Sequence, residues 1–417
     1  MRHVSAGAIR EAMPVHPARR RPLLEALRAR KVVSGLHGFV RAHAAFFYQE
    51  IERLGPRALP AGPEIWICGD CHTENVGAVR GDDDEPAIEI NDFDEAVIGA
   101  PAHDVLRMAL ALAVLVRGAG LGGVDVRGVV EAMLAGYART LDSGRLPAPP
   151  RRIRKLLRRA GAQTHRELLD RRAPRHPDGR RFALGERYWP LLRAERDAVA
   201  GLLADSEVVE LLASLGRRRR EPMVTLNDAA FRVAGTASLG CFRAAALIRR
   251  GAVDHDAALQ LLDIKQALTS TAPRARGTPD DDARRIVAGA RAMAPALGAR
   301  MVPAYLPGRL RDATLARGGR GGVVVRQLQP QEFKLTLAGL VADEAVAVGG
   351  YLGAVIGRAH GRQLSRGDAR SWGRAVADPA WLQRALPPLV GAHEEAYLAT
   401  SLTPDRARRG PSRRAAR

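Results

Sequence analysis

Asp70, His72, Asn75, Asp92, Asp94 and Asp104 crowd into one stretch, Trp66 to Arg107, which reads WICGDCHTENVGAVRGDDDEPAIEINDFDEAVIGAPAHDVLR. Most other acids are scattered among arginines on helix-like segments, so this density points to chemistry rather than packing. Phosphoryl transfer needs such parts: a carboxylate to orient an acceptor hydroxyl, and an Asn and an Asp on different loops to hold Mg²⁺ against phosphates. Mg²⁺ is hard and octahedral, so it takes few protein oxygens and fills its shell with phosphate and water. Asp70 and Asn75 lie five residues apart in GDCHTEN, and Asp92 stands at the head of the second loop, NDFDEA.

Two short strands must present these loops. Residues 64–68, EIWIC, deliver the first, residues 87–90 deliver the second, and GDDDEP between them is a polar turn. Behind the second loop, residues 103–117 carry apolar side chains on every side, which predicts a helix buried all round, with Arg107 inside it. Upstream, residues 1–20 have no periodicity and read as a loose arm, and residues 23–54 as one or two helices. Residues 126–215 read as mostly helical, broken at 147–150 and 174–179. From residue 225 the texture becomes strand and glycine turn: AAFRVAG, TASLG, CFRAAALIRR and ALQLLDIKQA. A helix over 283–299, a buried strand over 323–328 and a long helix over 335–362 follow, and an Arg-rich tail begins at Thr403. The expected class is α+β, with a mostly helical segment 1–224, a β-rich segment 225–334, and helices plus a basic tail over 335–417.

At 417 residues the chain has room for two cores. It carries 65 Lys plus Arg against 45 Asp plus Glu, a net charge of +20, yet only Lys31, Lys155, Lys265 and Lys334 are lysines, which leaves 61 arginines. So lopsided a ratio reflects coding bias as much as a basic surface, and it predicts only salt-screened, non-specific attraction to polyanions. Three unevenly spaced cysteines make no disulfide framework. The most apolar window, 105–116, is too short to span a bilayer, for which about 20 residues are needed. No apolar signal segment opens the sequence, so a soluble cytoplasmic protein with no membrane partner is expected.

The motifs carry a more specific resemblance. GDCHTEN resembles the GDxHxxN catalytic loop of the aminoglycoside- and choline-kinase-like phosphotransferases, and NDFDEAVIGAPAHDVLR is similar to their metal-binding stretch IDFxxAxxGxPxxDLA. The resemblance implies Asp70 as catalytic base, His72 as the residue orienting its loop, Asn75 and Asp92 as Mg²⁺ ligands, and Asp104 with Asp94 as structural support. RVAGTASLG resembles a phosphate-covering glycine loop, which gives Gly235, Thr236, Ser238 and Gly240 that role. DIKQA resembles the strand bearing the phosphate-binding lysine, Lys265, and Arg326, Gln327 and Leu328 would line the adenine of ATP. GGYLGAVIGRAHGR resembles the helix that ordinarily precedes the catalytic loop, so the order is rotated. This rotated layout is similar to a large bacterial family known only as a domain of unknown function, over about Lys31 to Ala396. It implies a two-lobed, circularly permuted protein-kinase-like fold that binds ATP and Mg²⁺ and phosphorylates a hydroxyl-bearing acceptor, with an inactive nucleotide-binding scaffold as the alternative.

The sequence departs from the pattern in places. Ala237 replaces a middle glycine of the phosphate loop, and Ala288 stands where a glutamate partner for Lys265 is expected, with Asp280, Asp281 and Asp282 as substitutes. Cys68-Gly69-Asp70-Cys71-His72 also matches the C-x-x-C-H haem-attachment pattern, but that chemistry needs export; a redox pair lacks a following helix, and a zinc site lacks a fourth ligand. The runs RRIRKLLRR and RRRR could bind nucleic acid, though no interleaved aromatics are there to stack bases.

Overall fold

The computed structural model describes residues 17–81, 83, 85–120, 123–214, 224–236, 239–251, 256–307, 321–335, 337, 339 and 341–402. Three helices open it, α1 (Pro17–Val32), α2 (Leu36–Ala42) and α3 (Ala44–Leu54). Four strands follow, β1 (Ile65–Ile67), β2 (Val76–Arg80), β3 (Pro86–Ile90) and β4 (Val97–Gly99), and then α4 (Ala102–Gly118), α5 (Gly123–Ser143), α6 (Arg151–Gly161) and α7 (His165–Arg172). A small hairpin, β5 (Arg175–His176) and β6 (Gly179–Arg180), leads to β7 (Tyr188–Trp189), α8 (Arg193–Leu202) and α9 (Ser206–Ser214). Next come β8 (Val224–Arg232), β9 (Arg243–Arg250), β10 (Leu259–Gln266), α10 (Asp282–Met293), α11 (Pro295–Gly298), β11 (Met301–Tyr305), β12 (Gly322–Gln327) and β13 (Phe333–Lys334). The helices α12 (Ala342–Gly361), α13 (Arg366–Ala377) and α14 (Ala380–Leu402) close the described chain. The class is α+β.

Six strands form one sheet in the order β11-β12-β10-β9-β8-β7, antiparallel throughout. Side chains alternate across a strand. Ala244, Ala246, Ile248, Leu262 and Ile264 therefore pack on one face against α8 and α9, while Ala245, Leu247, Leu259 and Leu261 pack on the other against Leu168, Leu169, Phe182 and Tyr188. The largest core lies elsewhere, around α4, on which only Arg117 and Gly118 at its end are exposed. The apolar-all-round pattern of that helix is thus matched by burial on every side.

The helix pair α5 and α12 is packed through glycine. Gly349, Gly353, Gly357 and Gly361 recur every fourth residue, so they line one face of α12. A Cβ on Gly353 would lie 1.9 Å from the carbonyl oxygen of Met133, and one on Gly357 would lie 2.3 Å from that of Tyr137. Backbone therefore meets backbone along this seam.

Several expectations are corrected. Residues 1–20 are not all a loose arm, because α1 begins at Pro17: Arg20 is buried, makes a salt bridge to buried Glu195 and lies over the Phe231 ring, which fixes the helix to the sheet. The division at 224/225 does not follow the cores. Trp189, Val199, Leu202, Val208 and Leu211, which precede it, belong to the sheet's core, whereas Ile286, Val287, Ala290 and Met293 of α10 join the largest one. The long helix expected over 335–362 begins only at Ala342. The tail from Thr403 lies outside the described residues.

Candidate active site

The first loop leaves β1 at Cys68 and enters a 3₁₀ turn, Thr73–Asn75, before β2. Gly69 is needed at its start. Its φ is +76°, and a Cβ there would lie 2.1 Å from the Glu95 carbonyl oxygen, so only glycine lets the two loops pass this closely. Asp104, fully buried at the start of α4, accepts from the backbone N–H of Cys68 (2.7 Å) and of Gly69 (2.9 Å). It also meets His360 Nε2 at 3.2 Å. Beyond that, His360 Nδ1 lies 2.8 Å from the Tyr137 hydroxyl, which accepts from Trp372 Nε1 at 2.8 Å. A buried polar chain thus ties the loop to α12, α5 and α13. His360 is a fully satisfied core histidine.

Asp70 projects from this loop with Arg107 beside it. Arg107 donates to Asp70 Oδ1 through Nε (2.8 Å), with its Nη2 also at 2.8 Å, and Nη2 donates to the Val40 carbonyl at 2.6 Å. Burial pushes the Asp70 carboxyl up, and Arg107 works against that shift. His72 Nε2 stands 3.6 Å from Asp70 Oδ2, while its Nδ1 accepts the Glu74 N–H at 3.2 Å. Burial, reinforced by Arg107 and Arg41, holds the imidazole well below its usual range, so it is neutral and carries its proton on the Nε2 facing Asp70. Asn75 donates from Nδ2 to the Asp70 carbonyl at 3.0 Å, and its own carbonyl accepts the Asn91 N–H at 2.9 Å. The two loops are therefore bonded at their bases. Cys68 Sγ adds a contact to the Asp92 carbonyl at 3.4 Å.

The second half of the site arrives from β10. Asp263 and Lys265 are two apart on that strand and share a face. Lys265 Nζ makes a short ion pair with Asp94 and lies 3.5 Å from Asp92 Oδ1. Burial alone would lower the Lys265 ammonium, but Asp92 and Asp94 outweigh it and raise its pKa. Asp92 is held below the carboxylate range: burial opposes ionisation there, and Lys265 and Arg243 overcome it. Asp94 is pushed up by burial and by Asp92. One lysine thus serves two carboxylates of the second loop, and Asp94 takes part in the ion pair instead of only supporting the loop.

The substitutes expected on α10 do not reach Lys265. Asp281 caps the helix by accepting the Arg284 N–H (2.8 Å), Asp282 pairs with Arg285 (3.2 Å), and Asp280 lies 3.8 Å from Arg274. Arg285, fully buried, donates instead to the carbonyls of Asp94 (2.9 Å), Ala96 (2.6 Å) and Leu268 (2.6 Å). It fastens α10 to the second loop. Sequence reading missed Arg107, Arg285 and the Asp263 triad with Arg232 and Arg243, in which the two guanidiniums outweigh burial and hold Asp263 far below its usual range. The available signals were an arginine within an otherwise apolar helix and an aspartate two residues before a rare lysine.

Gly235 and Gly240 both adopt left-handed backbone, φ +83° and +97°, in the turn between β8 and β9, and the Thr236 carbonyl accepts the Leu239 N–H at 3.3 Å. Ser238 and Ala237 lie outside the described residues. The residues expected to line adenine are not an open edge. Gln327 and Leu328 are buried, and their N–H groups donate to the carbonyls of Arg300 (3.0 Å) and Leu261 (2.9 Å). Leu328 packs with Leu259 and Leu261, and Arg326 pairs with Glu332 at 2.6 Å.

Cys68, Cys71 and Cys241 are buried and form no disulfide, and Cys68 and Cys71 pack in the core beneath the loop. Among the described residues, no three His, Cys, Asp or Glu side chains are placed to hold a metal. Asn75 and Asp92 offer oxygen donors, the type that Mg²⁺ takes in small number. No described helix is long and apolar enough to cross a membrane.

The chain belongs to the family described as an uncharacterized protein conserved in bacteria (DUF2252), with a match spanning residues 20–387. No curated protein and no solved structure matches it.

Proposed function

We propose that the chain is an ATP- and Mg²⁺-dependent phosphotransferase with a permuted kinase-like arrangement, acting on a hydroxyl of a small-molecule acceptor. The observation that carries this reading is the meeting of Lys265 with Asp92 and Asp94, which joins the downstream sheet to the second loop, itself bonded at its base to the loop of Asp70 and Asn75. Phosphoryl transfer is catalysed chiefly by positioning and charge, and such a junction provides both. In the proposed step the acceptor oxygen attacks the γ-phosphorus, the bond to the β–γ bridging oxygen breaks, ADP leaves with that electron pair, and the hydroxyl proton passes to Asp70.

Arg107 holds Oδ1 of Asp70, so Oδ2, on the His72 side, is the oxygen left to take the proton. The upward shift of the Asp70 carboxyl makes it a stronger base. Bound Mg²⁺ supplies charge neutralisation on the phosphates, and Asn75 and Asp92 are the residues to hold it. Lys265 is placed to move from its carboxylates to the α- and β-phosphates.

The test is ADP release from Mg-ATP by purified protein with a metabolite library. Lys265→Ala and Asp92→Ala should each weaken Mg-ATP binding; if neither does, the nucleotide site is misassigned. Ala237 in the glycine turn and Ala288 in place of a glutamate favour a second reading, a nucleotide-binding scaffold without turnover. Tight Mg-ATP binding with no ADP release for any acceptor would establish that reading.

A further inference from the structure

Three of the four lysines contact the glycine turn or the two loops. Lys265 sits on Asp92 and Asp94, and Lys31, at the end of α1, donates to the Gly235 carbonyl at 2.8 Å. Lys334, on β13 beside β2, lies 3.8 Å from Glu74, which itself pairs with Arg41 at 2.6 Å. Glu74 stands between His72 and Asn75, so this group spans the gap from the glycine turn to the catalytic loop. His37 joins its edge, 3.4 Å from the Thr73 hydroxyl.

The inner ion pairs set two cations against three carboxylates, since Arg107 answers Asp70 and one lysine, Lys265, answers both Asp92 and Asp94. The outer group is net positive. Lys31, Arg41 and Lys334 face the single carboxylate of Glu74, which leaves two positive charges unmatched. Both lysine side chains are exposed, and partial desolvation lowers the Lys31 ammonium, with Lys334 and Arg41 lowering it further, so these cations feel one another. Lys334 is lowered by partial desolvation and by Arg41, with Glu74 opposing. Holding like charges together is unfavourable unless an anion joins them.

The residue choice is informative too. Against 61 arginines, lysine appears at both of these positions, and a compact ammonium with rotatable donors suits a phosphate oxygen approached from varied directions. Lys155, the fourth lysine, is exposed on α6 within an arginine-rich run.

We propose that Lys31, Arg41 and Lys334 form an anion subsite for the acceptor, so that the acceptor is a hydroxy compound bearing a phosphate or carboxylate group. This rests on the phosphotransferase reading, with the subsite holding the acceptor's anion while its hydroxyl reaches Asp70. The Mg-nucleotide lies deeper, on Lys265, Asp92 and Asn75.

Inorganic phosphate titrated by calorimetry into the full chain saturated with Mg–AMP-PNP tests this. Saturable one-to-one binding is expected in wild type and in Lys155→Met. The Lys31→Met/Lys334→Met double variant should bind at least tenfold more weakly, about 1.4 kcal/mol, and Lys334→Met alone, whose side chain is 65% exposed, serves if the double variant does not fold. The proposal is overturned if loaded wild type binds no phosphate, if the variants bind it equally, or if their loss falls on Mg–AMP-PNP, which would assign the lysines to the nucleotide. Failure of Mg–AMP-PNP to bind wild type counts against the phosphotransferase reading alone. Phosphate is then titrated into the unloaded chain, where binding that needs Lys31 and Lys334 upholds the anion subsite and its absence overturns it.

Discussion

Asp104→Asn isolates the brace beneath the first loop. Asp104 is fully buried; its Oδ2 serves both the Cys68 N–H (2.7 Å) and His360 Nε2 (3.2 Å), and Oδ1 serves the Gly69 N–H (2.9 Å). Asparagine has the same shape but only one acceptor oxygen. Placed at the Oδ2 position, that oxygen keeps two partners and turns an NH₂ group toward the Gly69 N–H. The loss is one charge-assisted hydrogen bond, about 1.5–3 kcal/mol, plus a buried N–H left without an acceptor, about 1–3 kcal/mol. A total near 4 kcal/mol, set against an unfolding entropy of roughly 2.1 cal/mol/K per residue, lowers the melting temperature by about 5 °C in a chain of this length. Thermal unfolding followed by circular dichroism measures it, with His360→Gln and the double variant completing a cycle. Because His360 and Asp104 are hydrogen-bonded to each other, their effects should couple by about 1 kcal/mol or more. A melting temperature within 1 °C of wild type, or strictly additive effects, would refute the brace.

Asp70→Asn should cut any turnover by at least about a hundredfold while sparing Mg-ATP binding, because general-base catalysis is worth about 10²–10⁴; an active variant removes Asp70 as base. Since the ionised carboxylate is the base and its pKa is raised, the wild-type rate should fall as pH drops through a limb above the ordinary aspartate range of about 4, read from a pH–rate profile. Gly353→Ala should destabilise by about 2 kcal/mol or more, since its Cβ meets backbone at 1.9 Å, whereas Gly391→Ala in α14, with nothing within 4 Å, should stabilise by about 0.5–1 kcal/mol. Equal effects in chemical denaturation would deny the glycine seam. His393 is buried and held down to about 4, so its contribution is complete above the unfolded value of 6.5 and is lost as pH falls toward 4. That amounts to about 3 kcal/mol, which His393→Leu should abolish in melting curves taken between pH 4.5 and 7.

The two loops were legible because they are dense in Asp and Asn between short apolar runs, and a lysine in an apolar strand stands out among 61 arginines. The same abundance hid the rest. Arg20, Arg107 and Arg285 are fully or almost fully buried and hold the architecture together, but in sequence they look like the arginines on exposed helix faces. β11, MVPAY, escaped because it is short and contains proline, and β2, VGAVR, because Gly77 and Ala78 carry little strand preference. Glycines of α12 are weak helix formers, and their purpose appears only when the carbonyls of α5 lie against them.

The absent glutamate at Ala288 then has a structural reason. Gly289, its neighbour, lies where a Cβ would come within 2.7 Å of Ala96 and 3.2 Å of Trp66, so α10 rests directly on β1 and β4. A helix seated this closely, with Arg285 already bonded to the carbonyls of Asp94 and Ala96, needs no ion pair to Lys265 to hold it. The lysine is therefore left to the second loop. Its charge is matched by Asp92 and Asp94, so on the proposed phosphotransferase reading a cation taken by Asp92 would compete with Lys265 and free its ammonium for phosphate. On that reading metal and nucleotide binding would be coupled through one side chain, where a glutamate on α10 would have kept them apart.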